Sequence, residues 1–88
     1  MNKERCEAKY KNAINNLSIA IKAQSTQRAI VKQMKALGFK TTIATLNNHL
    51  NCKGNLIMPL IHFIVICQLL DLSIDKIVNN EIAFNKDV

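Results

Sequence analysis

Acidic side chains are missing from the whole middle of this chain. The six present are Glu4, Glu7, Asp71, Asp75, Glu81 and Asp87, so none lies between Ala8 and Leu70. That same stretch carries Lys9, Lys11, Lys22, Arg28, Lys32, Lys35, Lys40 and Lys53. It can form no internal ion pairs and it repels itself. Such a field is tolerable where it attracts a polyanion. The blander alternative, a basic surface that is only solvated, accounts poorly for so long an exclusion of acids.

Other absences narrow the function further. There is no Trp, with only one Tyr and three Phe, too few for an aromatic platform that stacks single-stranded bases. Cys6, Cys52 and Cys67 stand far apart with no CxxC pair, which argues against a disulfide framework and against a zinc site. They are expected as small buried hydrophobes in a reducing compartment. His49 and His62 have no Cys, Asp or Glu at ligand spacing, so no metal or other cofactor is expected. Two Gly and one Pro among 88 residues exclude a disordered or fibrous chain. "MNKERCEAKY" lacks the apolar core of a secretory signal. "LIMPLIHFIVICQLL" is broken by Pro59, His62 and Gln68 and is shorter than the ~20 apolar residues of a bilayer span. The expectation is one soluble, cytoplasmic domain over residues 1–88, with no membrane partner.

What is present is helical periodicity. Apolar residues make up 49% of the sequence, enough for a single compact core. No period-two alternation bounded by turns occurs, and no hairpin dipeptide. Cys6, Tyr10, Ala13, Ile14, Leu17 and Ile21 recur at steps of three and four, predicting a helix from near Lys3 to Lys22. Ser25 or Thr26 can cap a second helix. There Ile30, Met34 and Leu37 lie opposite Arg28, Lys32 and Lys35, because an offset of two residues is about 200° of rotation. Gly38 suits the left-handed position that closes this helix. Thr41 or Thr42 can cap a third, which groups Ile43, Leu46 and Leu50 inward with Asn47 at the margin. Its other side carries Thr41, Thr45 and Asn48, flanked by Ala44 and His49. Pro59 fits the first turn of a fourth helix. "PLIHFIVICQLLDL" is apolar nearly all round, as a central helix would be. Ser73 can cap a short fifth helix holding Ile74, Ile77 and Val78. The expected fold is all-α, a compact five-helix bundle.

Catalysis has little to stand on. Paired carboxylates, a Gly-rich phosphate loop and a Ser-His-Asp order are all absent. Cys52 follows His49 by three residues, but no third group completes a nucleophilic site. No enzyme and no small-molecule substrate is expected.

Two helices joined by a tight Gly-containing turn, inside a basic stretch, match a helix-turn-helix over about residues 26–51. Arg28, Lys32 and Lys35 would neutralise phosphates. The third helix would enter the major groove with Thr and Asn in place of acids, which DNA would repel. Asn pairs with adenine, and Thr meets a thymine methyl or a phosphate oxygen.

From "STQRAIVKQMKALGF" to "LLDLSIDKIV", about residues 25 to 80, the chain resembles the lambda-repressor-like helix-turn-helix domains of phage and bacterial regulators. "TLNNHLNCKGNLIMPLIHFIVICQLLDLSIDKIV" is also similar to phage CII-like regulatory proteins. Locally, "TQRAIVKQMKALGFKTTIATLNNHL" looks like the helix-turn-helix of arginine repressors. Here, however, Asn47, Asn48 and His49 replace that family's Ser-Arg-Asp, and an apolar helix follows in place of wing strands. The spacing from Gln27 to Gly38 also exceeds the usual one in the lambda-repressor-like family. The resemblance implies that Gln27 bonds a phosphate or supports the reading helix, that Thr41, Thr42, Thr45 and Asn48 face bases, and that a dimer binds a near-palindrome.

The expectation is therefore a sequence-specific regulator of transcription, a phage- or prophage-like repressor type, that binds double-stranded DNA as a homodimer. Its base-reading residues would be Thr41, Thr42, Thr45, Asn48 and His49. Its phosphate contacts would be Gln27, Arg28, Lys32, Lys35, Lys40 and Lys53. Ile82 and Phe84 of the tail would build the two-fold interface. The competing class is a small basic interaction module, a phage-encoded inhibitor or an antitoxin, that grips an acidic protein.

Overall fold

The computed structural model describes residues 2–53 and 57–79. The fold is all-α, a bundle of five helices among the described residues: α1 (Lys3–Gln24), α2 (Gln27–Ala36), α3 (Ile43–Leu50), α4 (Leu60–Leu69) and α5 (Ile74–Val78). Among these residues no strand occurs and no helix is long and apolar enough to cross a membrane.

Helix starts follow their capping side chains. Asn2 Oδ1 accepts from the Arg5 backbone N–H at 2.8 Å, and Thr26 Oγ1 accepts from Ala29 N–H at 3.1 Å. Thr42 Oγ1 accepts from Thr45 N–H at 3.0 Å, so Thr26 and Thr42 are the caps within the expected pairs. Ser73 occupies the N-cap of α5 without a side-chain bond to it. Pro59 is the N-cap of α4, one residue outside the helix, contrary to the expected first-turn placement.

Three helices end in the same pair of hydrogen bonds. After α2, Gly38 N–H donates to Lys35 O and Phe39 N–H to Met34 O, each at 3.0 Å. After α3, Cys52 N–H donates to His49 O and Lys53 N–H to Asn48 O. After α4, Asp71 N–H donates to Gln68 O and Leu72 N–H to Cys67 O. This pairing is the Schellman closure, which needs a left-handed residue at its corner. Those corners are Gly38 at φ 98°, Cys52 at φ 51° and Asp71 at φ 55°. At Gly38 a Cβ would meet nothing within 4 Å, so any cost of adding one comes from backbone strain alone. Gly38→Ala is expected to destabilise by roughly 1–2 kcal/mol, read as a lower urea midpoint at unchanged slope. A neutral result would mean that the turn adopts another conformation in solution.

The core lies along α1. Ala13, Ile14, Leu17, Ala20 and Ile21 are buried there, joined by Ile30, Val31 and Met34 of α2, Leu46 and Leu50 of α3, Met58, and Phe63, Ile66 and Cys67 of α4. α1 packs against α3 and α5, and α2 against α3 and α4. Tyr10 O–H donates to Met58 O at 2.7 Å, and Asn16 Nδ2 donates to Ile77 O at 2.9 Å. These two side chains of α1 thereby hold the start of α4 and the end of α5.

Several sequence expectations shift here. Leu37 is the C-cap of α2 and is exposed, and Val31 takes its place in the core. The three cysteines are free, but only Cys67 is fully buried; Cys52 is half-buried and Cys6 exposed. α4 is enclosed along its middle but not in its first turn, where Leu60 and Ile61 are 62% and 52% exposed. Beyond that turn Phe63, Val65, Ile66 and Cys67 are buried, and because Val65, Ile66 and Cys67 are consecutive the cover spans more than half of the helix circumference. Ile82 and Phe84 lie outside the described residues.

Candidate nucleic-acid interface

The turn at Gly38 sets α3 against α2, and the polar side chains of both helices gather along the junction. Arg28, Val31, Lys32, Lys35, Thr42 and Ile43 line a depression of about 320 Å³. Lys35, Gly38, Phe39, Lys40, Thr41, Thr42 and Thr45 line a second of about 580 Å³. Lys35 and Thr42 border both, so the two adjoin. Four of the six expected phosphate contacts, Arg28, Lys32, Lys35 and Lys40, thus stand around one surface with Thr42 and Thr45, and all four cations are exposed. Lys53 is exposed beyond the far end of α3 and lines neither depression.

Gln27 is half-buried and Gln27 Nε2 donates to Asn47 Oδ1 at 3.4 Å. Asn51 Nδ2 donates to the same oxygen at 3.1 Å and to Asn47 O at 2.9 Å. A short amide chain therefore ties the start of α2 to the outward side of α3. Of the two roles implied for Gln27, support of the third helix is the one with a bond in the fold.

Two of the five expected base readers do not face outward. Thr41 is 7% exposed and His49 8% exposed, too enclosed to reach a base edge. His49 turns toward α4, where its ring lies 6.2 Å from that of His62, which in turn meets Phe39 edge-on at 5.6 Å. Ile43, expected inside, is 39% exposed. The buried arc is thus Leu46, Leu50 and His49, rotated by about 40° from the expected Ile43, Leu46 and Leu50. The outward arc moves with it, so Ala44 and Asn51 are exposed and Asn47 and Asn48 are half-exposed. Thr45 stays at the edge, where Thr42 Oγ1 donates to its Oγ1 at 3.0 Å. The sequence reading missed Ile43 and Asn51 as outward residues. Asn51 stands three and four residues after Asn48 and Asn47, a spacing that could have pointed to it.

His49 is also where pH acts on the stability of the fold. Its Nδ1 is buried and without a hydrogen-bond partner. Burial, and then the neighbouring His62, hold its pKa below the ordinary histidine value. A base with a depressed folded pKa binds fewer protons folded than unfolded. Its contribution is therefore complete above the unfolded value of about 6.5 and is lost as pH falls below it. Between pH 7.5 and 5.5 the urea midpoint should drop, reflecting a loss of stability of at most about 1.4 kcal/mol per pH unit from this group. His49→Gln should flatten that dependence. An equal drop in the variant would assign the acid sensitivity to another group.

Neither a group of three metal-binding side chains nor a carboxylate within α2 or α3 occurs among the described residues. The surface offers cations, amides, hydroxyls and methyl groups, and no acid. Comparison with protein-family models, with curated proteins and with solved structures finds no match, so the reading of this surface rests on its own residues.

Proposed function

We propose that this protein is a sequence-specific double-stranded DNA-binding regulator of transcription, of the phage or prophage type, in which α2 and α3 form the helix-turn-helix. One observation carries the reading: cations of α2 and polar residues at the start of α3 line adjoining depressions across a tight turn. Arg28, Lys32, Lys35 and Lys40 neutralise phosphates and set the register, which carries no sequence information. Thr42, Thr45 and Asn48 meet the groove. No acid stands in these helices to repel the duplex. The regulator acts as a homodimer on a near-palindrome, with one helix per half-site.

A gel shift against a random duplex pool, followed by sequencing of the retained fraction, tests this. The expected result is salt-sensitive retention with enrichment of a common sequence. Folded protein that retains no duplex at low salt would sink the proposal. A second reading, a module that binds another protein, draws support from the exposed Ile57, Leu60 and Ile61 at the start of α4, an apolar surface unlike the α2–α3 face. Binding that stays intact when Arg28, Lys32 and Lys35 are neutralised but falls when Leu60 and Ile61 are made polar would favour it.

A further inference from the structure

We infer that the face of α3 selects A·T-rich duplex, and that Ile43 is a specificity-determining residue that packs against thymine methyl groups. This rests on the DNA-binding reading above and gives its ligand a base composition.

Ile43 is the first residue of α3 and is 39% exposed. It borders the same depression as Arg28, Lys32 and Lys35. A β-branched apolar side chain outside the core, among three cations, is matched by a ligand that is anionic around an apolar group. In duplex DNA that group is the thymine C5 methyl, which lies in the major groove between the phosphate backbones. The rest of the outward arc agrees. Guanine is read chiefly by Arg or Lys and cytosine by Asp or Glu, and α3 contains none of these. Adenine is read by an amide across N6 and N7. Asn48 offers one from the half-exposed side of α3. Asn47 does not add a second, because Gln27 and Asn51 already donate to its Oδ1. Ala44, fully outward, adds another methyl surface.

The test compares three duplexes of equal length in a binding titration: A·T-rich, G·C-rich, and the A·T-rich duplex with every thymine replaced by uracil. Uracil keeps the hydrogen-bonding edge and lacks only the methyl. The A·T-rich duplex should bind most tightly, and uracil should weaken binding about fourfold for each methyl buried. Ile43→Ala should bind thymine and uracil duplexes more nearly alike, and Ile43→Val should retain most of the difference. Ile43 is outside the core, so both variants are expected to fold, which thermal unfolding checks. Tighter binding of the G·C-rich duplex overturns the inference, as does indifference to uracil or unchanged discrimination in Ile43→Ala. All three outcomes leave the DNA-binding reading standing. Failure to bind any of the three duplexes, or a random pool, overturns that reading and this inference together.

Discussion

Phe63→Ala should cost about 3–5 kcal/mol, which is on the scale of the whole stability of a small domain. Phe63 is 1% exposed in the buried middle of α4, and its ring lies 5.8 Å from that of Tyr10 at 46°. Truncation removes the packing of both rings, and it leaves the Tyr10 to Met58 hydrogen bond anchored to a looser wall. Three residues earlier, Leu60 is 62% exposed, so Leu60→Ala should stay within about 0.5 kcal/mol of the parent. Urea unfolding reads both. With slopes of roughly 1–3 kcal/mol per molar, the Phe63 variant should lose at least about 1 M of midpoint or be unfolded outright. Comparable losses at the two positions would show that Leu60 is covered in solution, by a second copy or a partner. The same pair of variants therefore probes both the fold and the state of the exposed apolar face.

The second large effect concerns binding. Neutralising Arg28, Lys32 and Lys35 together to Gln should reduce the slope of log affinity against log salt by roughly three units, at about 0.9 per phosphate contact. Because such plots converge near 1 M, the loss at 0.1 M salt is on the order of 10²–10³-fold. It should fall on all duplexes alike, since these contacts do not discriminate bases. Asn48→Ala should behave differently. It should leave the salt slope unchanged and relax preference at one position by roughly 1–3 kcal/mol. All three cations are exposed and Asn48 is half-exposed, so unfolding midpoints should stay close to the parent. Parallel salt plots for the triple variant and the parent would remove α2 from the backbone contact, and with it the carrying observation for the proposed function.

Much of the architecture was already legible in local chemistry. Thr26 and Thr42, each one of an expected pair, mark helix starts because a side-chain oxygen can reach a free backbone N–H within its own turn. Gly38 marks an end because a left-handed residue costs it no Cβ clash. The stripes Ala13–Ile14–Leu17–Ile21 and Ile30–Met34 are buried as their spacing requires. The exclusion of acids from the middle of the chain, and hence the basic character of α2, needs no structure at all. These properties act over four residues or by charge alone, and neighbouring elements do not revise them.

Which margins of each helix turn inward was decided only by the tertiary packing. His49 and Ile43 sit on opposite edges of the α3 apolar arc, and periodicity assigned the hydrocarbon to the core and the imidazole to solvent. The packing reverses that choice, because α4 offers His49 a ring partner in His62 while Ile43 opens onto the depression beside Arg28 and Lys32. Thr41, three residues after the turn at Gly38, is buried, which its own polar side chain does not announce. α4 reads as apolar all round, yet Leu60 and Ile61 remain outside. Composition sets how much of a helix can be buried, and the number and direction of its neighbours set how much is.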